Sequence, residues 1–362
     1  MKNYIITSLL TLGALSASAQ STSLSDTSRG NGFNPSIGLN ALTLYKNSAR
    51  DNDHDGFQLQ EAEIQFSADV DAYFRAEATF AIHPEHEEEE EAGHEGHGYA
   101  FEPEEIFAET ISIPDVTVKI GKFYTQFGKY NMVHTHAQPF IYRGVVQEYM
   151  FGEEGLNEVG VGVSTMLPLP WFSDLTVQFI QPSNEELFHE DPHSIATVAN
   201  LKNLWDLSES LTLEWGLSGL YYNHRSLPTE LRNRTTVLGS DLTFKWKPVK
   251  KGKYSSFVWS TEFIHKDIQG ENELKNGGVS TFFRYQLAQR WYAQAQYEFL
   301  GLFADESLTD TNVYTGLIAF VPTEFSSLRV QYDDIHDGED RPEKRVSLQL
   351  SFSIGAHPAH VY

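Results

Sequence analysis

Fourteen histidines and no cysteine bound the chemistry open to this chain. Without thiols there are no disulfides, no thiolate metal sites and no cysteine nucleophile. Imidazole and carboxylate remain, a donor set suited to divalent transition metals and to zinc above all. The densest supply is His83, His86, His94 and His97, interleaved with Glu85, Glu87 to Glu91, Glu95, Glu102, Glu104 and Glu105. Its low complexity predicts a cation-capture brush without fixed geometry; the alternative is a solvated acidic loop. His134-x-His136 is a sharper pair. On an extended segment both rings point the same way. With His189, His193 and acidic neighbours they can bind a metal, or they can serve as hydrogen-bonding pins for their loop. Asp51-x-Asp53-x-Asp55-Gly56 opens like a calcium loop, but Ala62 stands where that pattern wants its terminal Glu. An Asp/Asn turn is the expectation there. The predicted ligand is zinc or another divalent cation held at outer loops, with no cofactor required. No nucleophile motif joins the Ser, His and Asp residues, so no enzyme is predicted.

These residues need elements to position them. In Arg345 to Ile354 every even residue is apolar and every odd one polar. A strand sends alternate side chains to opposite faces, so this segment has one apolar and one wet face. The pattern recurs in about sixteen segments. They are expected near 36–46, 57–69, 72–83, 104–113, 115–123, 156–167, 172–181 and 196–206, then 209–222, 234–247, 254–266, 277–287, 289–300, 311–321, 325–334 and 343–354. Long and short connections alternate between them. That parity predicts an all-β antiparallel transmembrane barrel, with long loops outside the cell and short periplasmic turns. On this topology most histidines fall at the outer side, and only His357 and His360 fall at the inner side. Tyr45, Trp205, Tyr221, Tyr222, Trp291, Tyr292 and Tyr332 are candidates for interfacial aromatic girdles.

Residues 1–19 read as a signal peptide: Lys2, an apolar stretch from Ile5 to Leu15, and the cleavage pattern Ala17-Ser18-Ala19. Residues 20–34 read as a flexible periplasmic lead-in, and 35–362 as the barrel, with a His/Glu-rich outer loop at 84–103. The expected location is the outer membrane of a Gram-negative cell, in contact with its lipid. The formal charge of −24 disfavours nucleic-acid binding and favours attraction of cations.

The connection at 124–155 is too long and too apolar to lie free in water, so it is expected to fold inward and narrow the pore. Arg75, Glu77, Lys119, Arg143, Glu214, Arg284 and Arg329 are the charges expected to line the pore or its constriction, with Glu61, Glu63, Lys245, Glu262, Glu298 and Arg345 on the same lumen side. The function this supports is diffusion of small solutes or ions. A non-conducting metal-binding receptor and a surface adhesin are the rival readings.

The run Lys119-Ile120-Gly121-Lys122-Phe123-Tyr124-Thr125-Gln126-Phe127-Gly128 resembles the strand-to-loop segment of porins of the phosphate-selective O/P type. Asn131, His134-Thr135-His136-Ala137-x-Pro139-Phe140, the His-rich loop and His357-Pro358-Ala359-His360 are similar to a related group, the porin-like barrels described as zinc-regulated outer-membrane receptors. The resemblance implies an outer-membrane channel associated with metal uptake. By analogy with porins it also implies a homotrimer.

Overall fold

The computed structural model describes residues 35–50, 55–84, 98–188, 194–224, 234–270, 273–305, 309–339 and 341–355. They form sixteen antiparallel strands closed into one barrel. The first eight are β1 (Ser36–Ser48), β2 (Gly56–Asp69), β3 (Phe74–Pro84), β4 (Tyr99–Thr110), β5 (Val116–Tyr124), β6 (Asn157–Met166), β7 (Phe172–Ile180) and β8 (Ala196–Ser208). The second eight are β9 (Leu211–Asn223), β10 (Arg234–Trp246), β11 (Phe257–Gln269), β12 (Leu274–Ala288), β13 (Trp291–Leu300), β14 (Thr311–Thr323), β15 (Ser326–His336) and β16 (Glu343–Gly355). Each pairs with its neighbours in sequence. β16 closes on β1 with Gly355 opposite Gly38 and Arg345 opposite Ser48.

The predicted alternation sets the two faces. On β16, Leu350 is 47% exposed and the adjacent Gln349 is fully buried. Apolar side chains point out and polar ones in, the reverse of a soluble barrel and the arrangement lipid requires. On the outer face Phe244, Trp259 and Phe283 stack in series, with ring centroids 5.3 and 6.2 Å apart.

Most connections at one end are tight. Between β2 and β3, Asp71 Oδ1 accepts from the backbone N–H groups of Tyr73 (2.7 Å) and Phe74 (2.9 Å), a turn that Asp favours. One turn at this end is longer than the pattern suggested. β11 begins at Phe257 rather than near 254, and residues 247–256 coil through successive turns, with Lys251 N–H on Pro248 O and Tyr254 N–H on Lys251 O.

β4 is the clearest difference from the sequence reading. It starts at Tyr99, ahead of the expected 104. Pro103 lacks a ladder donor, which a regular strand does not accommodate. It sits instead where the β3–β4 register shifts, with Thr79 opposite Glu105 and Phe80 opposite Pro103. Such a bulge tolerates proline and carries the strand on. Among the girdle candidates, Tyr222 and Tyr292 turn inward rather than to lipid: Tyr222 is fully buried and Tyr292 packs against a loop inside the barrel. The signal peptide, the lead-in, Asp51, Asp53 and the two C-terminal histidines lie outside the described residues.

An arginine on the lipid face near mid-strand has no inward escape. Leu350→Arg is expected to lower the unfolding free energy by about 2–4 kcal/mol. Urea titration of the barrel refolded into lipid vesicles measures this.

Candidate functional site

The connection between β5 and β6 folds into the barrel, as its length and apolar content predict. Its neck is tied by Asn131, which is fully buried. The Asn131 amide donates to the carbonyls of Thr125 (2.8 Å) and Leu156 (3.1 Å), and its oxygen accepts from Leu156 N–H at 2.8 Å. A seven-residue helix, α1 (Val145–Phe151), packs Val146, Met150 and Phe151 against Phe123, Phe127, Leu220, Tyr222, Val237 and Ile264. Phe140 and Ile141 make a second apolar contact, with Leu44, Phe282 and Leu317.

A loop in a lumen must still pair its backbone, and here wall side chains supply the partners. Glu262 of β11 accepts from Lys129 N–H (2.8 Å) and from the Gln147 amide (2.7 Å). Glu298 of β13 accepts from Val145 N–H at 3.1 Å. Two glycines permit this approach. A Cβ on Gly128 would overlap the Glu262 carboxylate, and one on Gly144 that of Glu298. Gly128 also holds a φ of 60°, in the left-handed region. Across the barrel, Ile141 N–H donates to Gln331 (2.8 Å), Gln60 donates to Ile141 O (2.9 Å) and Arg329 donates to Gln138 O (2.8 Å). Tyr142 meets Ser347 at 2.7 Å, beneath the Arg345 guanidinium.

The tip of the loop carries the sharp histidine pair. His134 caps a single 3-10 turn, Thr135–Ala137, and His136 lies within it, so the segment is not extended, yet the two rings still lie together with centroids 5.8 Å apart. Four glutamates surround them. His134 Nδ1 is 2.9 Å from Glu63 and 3.2 Å from Glu104, and its Nε2 is 2.9 Å from Glu105. His136 Nδ1 meets the other oxygen of Glu63. Glu61 joins Glu63 and His136 in one cluster of metal-type donors, and Glu63, Glu104 and His134 form a second. Burial opposes a charge on His134, but the carboxylates around it outweigh burial and hold its pKa well above the usual histidine range.

Two β-bulges build this knot. On β2 the register shifts between Leu42 opposite Glu61 and Thr43 opposite Leu59, so Gln60 is the extra residue. On β4 the extra residue is Glu104. A bulge re-aims one side chain, and here Gln60 reaches the loop beside Glu61, while Glu104 and Glu105 both reach His134. Strict alternation would send one of each adjacent pair to lipid. The sequence reading placed Glu61 and Glu63 in the lumen and Glu104 and Glu105 in the outer tract; nothing in the pattern joined them.

The other predicted residues divide. Glu77, Arg284 and Arg329 line a cavity of about 480 Å³, with Glu63, Lys129, Lys245, His134 and His136. The wall residues come mainly from strand segments near the tight-turn end, so the cavity is a vestibule beneath the loop. Its β2–β3 side carries Glu63 and Glu77, and its β10–β12 side Lys245 and Arg284, with loop Lys129 also on its lining. Glu214 bridges the two lysines, 2.8 Å from Lys245 Nζ and bonded to Lys129 Nζ. Burial pulls the Lys129 pKa below its usual range, with Glu214 opposing. Arg75 bonds Ser67 at 2.8 Å, and Lys119 lies over the Phe107 ring at 3.8 Å. Arg143 is not on the cavity lining; its Nε holds the Glu153 carbonyl at 3.0 Å within the loop. His83 stands apart with Glu102 and Glu154. His86, His94, His97, His189 and His193 lie outside the described residues.

No family model matches the chain. A protein of Aquifex aeolicus strain VF5, itself uncharacterised, is 28% identical, over 86% of this chain and 71% of the relative. Among solved structures, a loop-deletion mutant of OmpT, an outer membrane protein of Vibrio cholerae, aligns with a TM-score of 0.57 at 10% identity, over 90% of this chain and 100% of the other. The outer membrane channel DcaP of Acinetobacter baumannii gives 0.57 at 12%, over 89% and 96%. The anion-selective porin of Comamonas acidovorans gives 0.56 at 9%, over 88% and 98%. The chain has the fold of outer-membrane porin barrels.

Displacing the loop should expose its basic residues. Gly128→Val puts a β-branched side chain where Glu262 stands, at a φ it does not adopt. In the folded barrel, trypsin is expected to cut this variant after Lys129 and to leave the wild type intact there, read by fragment mass.

Proposed function

We propose that this protein is a channel for diffusion of small solutes and ions across the outer membrane, without covalent chemistry. The observation that carries the reading is the lumen itself: a charge-lined vestibule beneath an inward loop, within a barrel whose exterior suits lipid. Acidic and basic groups on different sides of the vestibule set a transverse field, which orders charged solutes by sign and orientation. The loop is the constriction.

Association with zinc or another divalent cation is the finer part of the proposal. The His/Glu-rich connection between β3 and β4 concentrates such ions at the outer mouth, and the net charge of −24 favours their approach. A homotrimer is the proposed assembly, supported by the OmpT structure of Vibrio cholerae described in trimer form. A second reading has one observation behind it. The loop bonds to wall strands on opposite sides of the barrel, which favours a non-conducting metal-binding receptor.

Planar-bilayer recording of the pure protein separates the two. Discrete conductance steps are expected, and silence would sink the channel reading. Glu262→Ala with Glu298→Ala removes two loop anchors, and the step size should rise toward that of an unobstructed sixteen-strand lumen. Lys245→Glu with Arg284→Glu should shift the reversal potential toward cation preference. Deleting 86–97 should lower calorimetric zinc binding and leave conductance in place; unchanged zinc affinity would remove the capture role.

A further inference from the structure

The two donor clusters at the loop tip share Glu63, whose Oε1 faces His134 and whose Oε2 faces His136. We propose that the knot is a paired site for two divalent transition-metal cations bridged by the Glu63 carboxylate, one held by Glu61 and His136, the other by Glu104 and His134.

Three observations carry this. The first is an orphan. Glu61 Oε1 is buried and without a hydrogen-bond partner, on a side chain 8% exposed within the donor cluster. A buried carboxylate oxygen left unpaired is costly, and a cation supplies its partner. The second is charge. Glu61, Glu63, Glu104 and Glu105 face two imidazoles, with Lys119 acting on Glu105 from the side. Even with both rings protonated, carboxylates outnumber cations in a place water barely reaches. Two divalent ions match the four carboxylates and let both rings serve as neutral ligands. The third is the outer partner. If His134 Nδ1 ligates, its Nε2–H donates to Glu105 at 2.9 Å, the carboxylate–histidine arrangement that orients metal-bound imidazole. Mixed nitrogen and oxygen donors select zinc-like ions over magnesium or calcium, which prefer oxygen alone. Glu63, His134 and His136 line the vestibule, so an ion has a path in.

The site shares the loop's position in the lumen with the channel reading but does not require conduction. A silent barrel that holds the ions leaves the site standing; a conducting barrel that lacks them sinks only the site. The test uses the full mature chain in detergent, stripped with chelator and titrated with Co2+, whose visible absorption reports a structured nitrogen and oxygen environment. Reading differences from wild type cancels ions held by other histidines. Glu63→Gln is expected to lose two Co2+ per chain, Glu61→Gln one, and Glu105→Gln to weaken binding by about 10–100-fold. Heat-modifiable mobility on gels confirms the barrel in each; should Glu63→Gln fail to fold, Glu61→Gln decides. Wild-type stoichiometry and affinity in the folded variants overturn the proposal, and loss of a single ion in Glu63→Gln overturns the paired arrangement.

Discussion

A chain that crosses lipid with strands must pair every backbone N–H and C=O within itself, and a sheet does so only by closing. The β16–β1 ladder is that closure. Much else follows from it. A closed sheet has an inside, and each strand must turn one residue in two toward lipid. With sixteen strands the inside is too wide for wall side chains alone to fill. The lumen can therefore hold a folded segment, and the connection between β5 and β6 occupies it.

That segment meets a surface unlike a soluble core. The wall is polar by the same parity that makes the exterior apolar, so the loop is received largely through hydrogen bonds between wall side chains and its backbone, accepted from its N–H groups and donated to its carbonyls. Glu262, Glu298, Gln331, Arg329 and Gln60 do this from different strands. The apolar part of the docking needs local departures from the rule. Leu220, Tyr222, Val237 and Ile264 are lumen-facing apolar residues near the loop end of their strands, and α1 rests on them.

These departures mark where sequence reading stopped. Period-two alternation gave the strand series, the direction of its faces and the inward loop, because lipid enforces that period along every strand. Tyr222 was misplaced by residue type and not by the period: Trp215, Leu217 and Tyr221 face out along β9, so the next residue, Tyr222, faces in. The sequence reading started β4 late because the period breaks at the β4 bulge, where Pro103 is tolerated. The His134/His136 pair was legible as a candidate; its partners were not. They come from β2 and β4, far away in sequence, and Glu104 and Glu105 converge on it through a one-residue slip that leaves no trace in composition. The charged walls were readable as a set but not as sides, since circumferential position depends on closure.

The loop is consequently held in two unlike ways. Toward β9–β13 it has an apolar core and glycine-permitted backbone contacts to single carboxylates. Those contacts depend on the close fit of the loop backbone against the wall. Toward β2–β4 it has the histidine–glutamate knot, which borders the vestibule and consists of imidazole and carboxylate groups. Removing one partner from a buried ionic network costs roughly 3–5 kcal/mol, much of it from the charge left behind. The vestibule therefore meets ionic contacts of the loop on both sides, the knot toward β2–β4 and Lys129 on Glu214 toward β9, while the apolar packing of α1 is the support that carries no charge.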